Sequence, residues 1–298
     1  MNGIIIVDKP KDFTSFDVIA KLRRKLGQRK IGHMGTLDPM ATGVLPVLLG
    51  DTAKFQIFVP DNDKSYTAKM KFGITTDTLD ITGQVISEQK SKITKQDLER
   101  VLNSFLGEIY QIPPMFSAIK KGGVKLCDLA RKGISIDREK RKVFVNDIKI
   151  MNFDFENQEA EISVNCSKGT YIRTLCDDIG KNLGCGATVY ELRRKASNGF
   201  GESDAVPLKK IIEMSLEDIC QKCILPTERL FANFPVAGIT SAQSIRFKNG
   251  GSLAVERVQF DSPMQEGTPY KVYCDDEFVG LGEVNKTTNE LKVLKCLK

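Results

Sequence analysis

One stretch limits what this chain can become more than any other: Gly32-His33-Met34-Gly35-Thr36-Leu37-Asp38-Pro39-Met40-Ala41-Thr42-Gly43-Val44-Leu45-Pro46. It holds three glycines, two prolines, the chain's only histidine and a single acid, Asp38. Glycine reaches backbone angles closed to other residues and proline fixes φ, so the segment is a shaped loop and cannot be a helix or a regular hairpin. A rigid scaffold that carries one carboxylate on a shaped loop is well suited to presenting a reactive group.

Charge is distributed unevenly around this loop. The chain of 298 residues has a net charge of +6, with 41% hydrophobic and 28% charged residues, a composition typical of soluble globular proteins. Lys21, Arg23, Arg24, Lys25, Arg29 and Lys30 crowd the segment just before the loop. A second basic block runs from Lys120 to Lys142. Two basic blocks, one of them next to a candidate active loop, favour a polyanionic partner.

Several function classes lack support. No apolar run approaches the about twenty residues needed to span a bilayer, and the first residues have no signal-peptide pattern, so the chain reads as cytoplasmic. The eight cysteines are scattered, and free thiols are expected. Cys220-x-x-Cys223 has no second pair to complete a zinc site. Neither phosphate-loop nor dinucleotide glycine motifs occur, so no cofactor and no metal are expected. A Ser-His-Asp triad would have only His33 to draw on.

Periodicity sketches the fold. Gly3 to Val7 reads as a buried strand. Ser15 is the expected N-cap of a helix with Val18, Ile19, Leu22 and Leu26 at helical spacing and Gly27 as its stop. Tyr66, Ala68, Met70 and Phe72 alternate with Thr67, Lys69 and Lys71, a half-buried strand with Tyr66 facing inward. Thr75 to Gly83 reads as a polar loop, and Ile93 to Phe105 as an amphipathic helix. Lys120 to Lys142 reads as a basic insertion with a short helix at Leu126 to Arg131. Glu161 to Cys166 is a strand, followed by a helix with Ile172, Leu175, Ile179 and Leu183 on its apolar face. Arg173 lies in the first turn of that helix, off the apolar stripe; a cation there opposes the helix dipole unless an anion faces it. Thr188 to Leu192 is another strand. Beyond Phe234 the texture changes to short β-like runs around a helix at Ser241 to Lys248, which places a domain boundary near residue 238. These elements interleave without a βα repeat, so the fold class expected is α/β with a mixed, largely antiparallel sheet flanked by helices, plus a small β-rich C-terminal domain over 239–298.

The Gly32–Pro46 stretch resembles the signature of the TruB family of tRNA pseudouridine synthases. Further matches follow in family order: Asp8-Lys9-Pro10, Asp63-Lys64-Ser65-Tyr66, Thr75-Thr76-Asp77-Thr78, Ile112-Pro113-Pro114-Met115-Phe116-Ser117-Ala118, Cys166-Ser167-Lys168-Gly169-Thr170-Tyr171-Ile172-Arg173-Thr174 and Glu191-Leu192-Arg193-Arg194. The resemblance covers nearly the whole chain. It implies the pseudouridine synthase fold over 1–238 and a PUA-type RNA-binding domain over 239–298. The activity implied is isomerisation of one uridine in the T loop of tRNA (position 55 in tRNA numbering) to pseudouridine, without cofactor, metal, membrane or obligatory protein partner, by a monomer.

Residue by residue, the resemblance implies that Asp38 is the catalytic carboxylate and Arg173 its ion-pair partner. Tyr66 would stack on the flipped uracil and is a candidate for managing the C5 proton. Tyr171 and Leu192 would line the pocket. His33 would enter the space left in the RNA loop, and Lys9 would contact a phosphate or support the loop. Cys127 stands where relatives often carry an aromatic, so the basic insertion is expected to act by charge. Two alternatives share the motifs: a guide-RNA-dependent pseudouridine synthase, and a non-catalytic module that binds and folds tRNA.

Overall fold

The computed structural model describes residues 1–60 and 63–297; Lys298, the last residue of the expected C-terminal domain, lies outside them. A ten-stranded mixed sheet forms the larger part. Its main path runs Val206–Pro207, Gly3–Lys9, Thr42–Leu49, Ala187–Ser197, Lys64–Phe72, Glu159–Cys166, Arg141–Asp154, Gly107–Gln111. Along this path only the first pair and the Thr42–Leu49/Ala187–Ser197 pair are parallel, so the expected mixed, largely antiparallel sheet is what forms. The Ser15–Leu26, Lys95–Asn103 and Ile172–Asn182 helices bury their apolar stripes in one core with the inward faces of these strands.

The helix after the first strand starts differently from the expectation. Thr14, not Ser15, is its N-cap, in a capping box with Asp17. Ser15 is freed for another contact: its hydroxyl accepts the Leu37 N–H at 2.9 Å and so grips the residue before Asp38.

Ala187–Ser197 is the strand on which the sheet turns. Antiparallel pairing with Lys64–Phe72 sets Val189 opposite Met70, but the next pairs are Glu191 with Lys69, Leu192 with Ala68, and Arg194 with Tyr66. The bulge at Tyr190 adds one residue, and since strand side chains alternate faces it moves the inward set from odd to even positions. Leu192 and Arg194 thereby join Tyr66 on the inward face. Arg194 also lies beside Gly43 of the neighbouring parallel strand. Gly43 has φ +103°, and a Cβ there would collide with the Arg194 carbonyl oxygen. The glycine lets the strand that leaves the Asp38 loop close against this one.

The long strand Arg141–Asp154 begins inside the segment expected as basic insertion. Within that segment lie a Lys120–Lys121/Val124–Lys125 hairpin and a short helix, Leu126–Ala130. The insertion leans on the body through buried Leu126 and backbone bonds from Leu126 to Ile119 and from Cys127 to Ser117.

A second sheet, of six strands, runs Leu253–Ala254, Glu290–Cys296, Glu277–Asn285, Pro269–Cys274, Val236–Ile239, Gln259–Phe260. Its core includes Phe247, Tyr270, Val272 and Val279. The strand Val236–Ile239 spans the expected boundary at 238, so the division between the two sheets precedes Val236. Phe278 and Leu281 of this part join Phe55, Phe200 and Phe231 in a shared apolar cluster that packs it on the larger one.

Replacing Gly43 by alanine is expected to cost about 2–4 kcal/mol, from a strained φ plus the displaced strand pairing. Chemical denaturation of the variant measures this; a loss below about 0.5 kcal/mol contradicts the close approach.

Candidate active site

The shaped loop lies between two strands that pair with each other, Ile31–His33 and Thr42–Leu49. Its base is tied by the bond from the Met34 N–H to the Pro46 carbonyl, and its far side by the Asp12 N–H to Pro39. Lys9 completes the support. It is fully buried and donates to the Pro10, Phe13 and Pro39 carbonyls at 3.0, 2.5 and 3.2 Å. No surface is left on it for a phosphate, so of the two expected roles the position allows loop support and excludes substrate contact. Burial lowers its ammonium to about 8.

Asp38, Tyr66, Tyr171, Arg173 and Leu192 line one cleft of about 230 Å³, together with Thr36, Lys64, Ser117 and Gly169. His33 is not among them: it is half-buried in its short strand beside the cleft, and burial and the Arg194 charge hold its imidazole below the ordinary value. The imidazole there is neutral at physiological pH.

Arg173 organises the cleft. Its Nη2 donates to Asp38 Oδ1 at 3.0 Å, and its Nε stands 2.8 Å from Asp38 Oδ2. The remaining donors reach the Thr78 carbonyl at 2.8 Å, Asp80 Oδ2 at 3.4 Å and the Phe116 carbonyl at 2.8 Å. One planar fork thus joins three loops to the start of the Ile172–Asn182 helix. The unfavourable dipole position of the arginine is offset by two facing carboxylates, Asp38 and Asp80. The two differ in exposure: the side chain of Asp80 is 6% exposed and that of Asp38 33%, on its cleft side. Burial raises the Asp38 carboxyl above the ordinary aspartate value, with Arg173 pulling it back down.

Asp80 is a residue that the sequence did not single out. The polar segment Thr75–Gly83 folds over it: Oδ1 accepts from the Thr78 hydroxyl at 2.9 Å, the Thr82 N–H at 3.0 Å and the Thr82 hydroxyl at 2.5 Å. The loop is strapped to the central strand by the Ile81 N–H to the Val189 carbonyl at 2.8 Å. Asp, Thr and Gly at close spacing were the available signal, since such side chains bond their own backbone in turns.

Three further residues escape a sequence reading. Gln111, buried at the end of its strand, clasps Tyr171 from both sides: Oε1 accepts the Tyr171 N–H at 3.0 Å and Nε2 donates to its carbonyl at 3.2 Å. Arg194 is fully buried. Its Nε donates to the Val44 carbonyl at 2.7 Å, Nη1 to Thr36 at 3.4 Å and Nη2 to Gly35 at 3.2 Å, and its side chain bonds the Tyr66 hydroxyl. Tyr66 is buried, which raises its phenol above the ordinary value against the opposing pull of Arg194. Lys64, two residues before Tyr66 and on the same face, adds an ammonium to the cleft wall.

The geometry offers a flat aromatic surface, a carboxylate that is open to the cleft yet ion-paired, and apolar walls at Leu192 and Ile172. This arrangement can accommodate a planar base against the aromatic surface with an anion beside it. Asp80→Asn removes a charge from the buried pair, and a loss of about 1–3 kcal/mol in unfolding free energy is expected. A denaturation midpoint equal to wild type contradicts the role assigned to Asp80.

Comparison with known proteins agrees with this geometry. A model of the TruB family pseudouridylate synthase N-terminal domain matches residues 23–172, and one of the tRNA pseudouridylate synthase B C-terminal domain matches residues 173–232. The chain is 42% identical to the tRNA pseudouridine synthase B of Clostridium tetani over 298 residues, all of both chains. It is 40% identical to that of an Azoarcus species over 283 residues, covering 95% of this chain and 91% of the relative. Among solved structures, a Cbf5-Nop10-Gar1 complex contains a chain with TM-score 0.73 and 25% identity, aligned over 99% of this chain and 84% of that one. The fold is likewise that of a chain in an H/ACA RNP bound to a substrate RNA containing 2′-deoxyuridine, with TM-score 0.74, 24% identity, and coverage of 99% and 85%. With both halves of the larger part matched and the relatives aligned from end to end, this chain belongs to the TruB family of pseudouridylate synthases.

Proposed function

We propose that the protein isomerises one uridine in the T loop of tRNA to pseudouridine, acting alone, with Asp38 as the catalytic carboxylate. The observation that carries the assignment of Asp38 is its position: a cleft-facing anion held on two edges by one guanidinium, facing an aromatic wall. Full-length similarity to relatives named tRNA pseudouridine synthase B supports tRNA as the substrate.

The reaction breaks the bond from C1′ to N1, rotates the base within the cleft, and joins C1′ to C5; a proton leaves C5 and one is taken up at N1, so no atom is gained or lost overall. A stacked base cannot be reached, so the nucleotide flips out, at a cost of a few kcal/mol. Tyr66 and Leu192 receive the base, and Asp38 acts at the sugar side of the broken bond. Arg173 keeps that carboxylate ionised in a desolvated place. The Tyr66 hydroxyl, bonded to Arg194, is placed to handle the C5 proton. The basic insertion and the C-terminal sheet extend the RNA-binding surface beyond the loop.

The decisive experiment uses the purified protein and a bare T-arm hairpin, with each uridine probed chemically for conversion. Wild type is expected to convert one loop uridine, and Asp38→Asn none while still binding the hairpin. No product without added guide RNA and partner proteins overturns the stand-alone reading; product from Asp38→Asn at the wild-type rate overturns the assignment of the carboxylate. The pH dependence adds an independent check. A carboxyl raised above the ordinary 3.8 loses its proton at a higher pH, so turnover falls as pH drops through a value above 3.8. Single-turnover rates between about pH 4 and pH 8 read this acid limb; a limb centred at or below the ordinary aspartate value contradicts it.

A further inference from the structure

Charge in and around the cleft is unevenly matched. Arg173 takes both carboxylates, Asp38 and Asp80. Two more cations are close by, Lys64 in the cleft wall and Arg194 buried behind it, and no carboxylate forms an ion pair with either among the described residues. Arg194 is spent on carbonyls and on Tyr66. Lys64 Nζ has neither a hydrogen bond nor an ion pair among the described residues. The contrast with the neighbouring depression, of about 360 Å³, is plain. There three of the four basic side chains are matched, Lys69 to Glu191 at 2.8 Å, Arg193 to Asp8 at 3.0 Å, and Lys195 to Glu202, while the fourth, Lys11, is exposed to solvent.

Strand register fixes where the unmatched ammonium lies. Lys64 follows Tyr66 and Ala68 in the inward series, with Cys166 on one flank and Ser197 on the other. It reaches across to the catalytic loop. A Cβ placed on Gly35 would stand 3.3 Å from Lys64 Nζ and 3.5 Å from Arg194 Nη1, so both cations converge on the Gly35-Thr36 backbone at the cleft edge. Burial and the repulsion of Arg194 and Lys168 act against the charged form of Lys64. A half-buried ammonium in the company of other cations, unpaired, is a group that awaits an anion.

We propose that Lys64, backed by Arg194, is an anion-binding group of this cleft and holds a phosphodiester flanking the flipped uridine. The inference rests on the reading that the cleft takes a flipped nucleotide. A base seated against Tyr66 carries its own backbone phosphates to the rim, and Lys64 is the cation at that rim with donors to spare. A lysine serves as a point charge for phosphate, with no demand for planar, bidentate geometry. The anion would also neutralise the excess positive charge when substrate enters, which ties cleft electrostatics to occupancy.

The test replaces each of the two phosphates flanking the target uridine, in turn, by an uncharged methylphosphonate in the T-arm hairpin. For wild type, one replacement is expected to lower kcat/KM about 10- to 100-fold. Lys64→Gln is expected to lose a similar factor on unmodified hairpin and to lose no more than about twofold further on the methylphosphonate. Lys64→Arg, which keeps the charge, should retain most of the rate. Factors that multiply in Lys64→Gln, or wild type indifferent to both replacements, overturn the proposal. The wild-type measurement stands even where a variant fails to fold. An unmodified hairpin left unconverted by wild type would instead sink the reading of the cleft itself, so the two failures are distinguishable.

Discussion

The Arg173 guanidinium is the interaction on which the rest of the cleft depends. Its two terminal nitrogens donate to acceptors from the Asp38 loop, the Thr78–Asp80 loop and Phe116, and its Nε lies in ion-pair range of Asp38, so three connections that share no secondary structure are held to one helix start. Arginine alone can do this. It stays charged when buried and its fork matches a carboxylate on two edges. Burial of such a cation is costly unless every donor is engaged and the charge is met. Here two aspartates meet it, and the loops are obliged to sit where those acceptors are needed.

The central strand does the equivalent work for the other side of the cleft. Without the bulge at Tyr190, the inward series through Ala187 and Val189 would continue to residue 193, leaving Leu192 and Arg194 on the outer face. With it, Arg194 is delivered to Tyr66 and to the carbonyls of the catalytic loop. Gly43 allows this strand to lie against the strand leaving that loop. A backbone irregularity and a missing side chain, both local, therefore set the environment of Tyr66, which neighbours neither of them in sequence.

What the sequence made legible follows the range of the interactions involved. The inward position of Tyr66 is written in the alternation from Tyr66 to Phe72, and the need for an anion beside Arg173 in its place at a helix start. The Asp38 loop announces itself by glycine and proline. Asp80, Gln111, Lys64 and Arg194 were not legible because their partners lie elsewhere in the chain; Arg173 is 93 positions from Asp80, and Arg194 is 150 from Val44. The resemblance left Lys9 between a phosphate contact and loop support, and the sequence made Ser15 look like a cap; tertiary contacts use both to brace the loop. The strand Arg141–Asp154 was obscured for a different reason. Its apolar positions change phase, Val143 and Val145 and then Ile148 and Ile150, because a bulge lies between them, so no single period describes it.

The two aspartates that share Arg173 show how one structural device can yield two chemical roles. Asp80 has its other oxygen saturated by Thr78 and Thr82 and is closed to solvent, so it is a fixed counter-charge. Asp38 keeps a third of its side chain exposed, and among the described residues the one hydrogen bond to its carboxylate comes from Arg173 Nη2. It keeps lone pairs free toward the cleft. Since Asp80 already balances the guanidinium, charge that Asp38 would share with a reacting centre in the proposed reaction would not leave the arginine unmatched. The cleft can therefore redistribute charge during reaction without unfolding the knot that shapes it, and that follows from placing two carboxylates of unequal exposure on one cation.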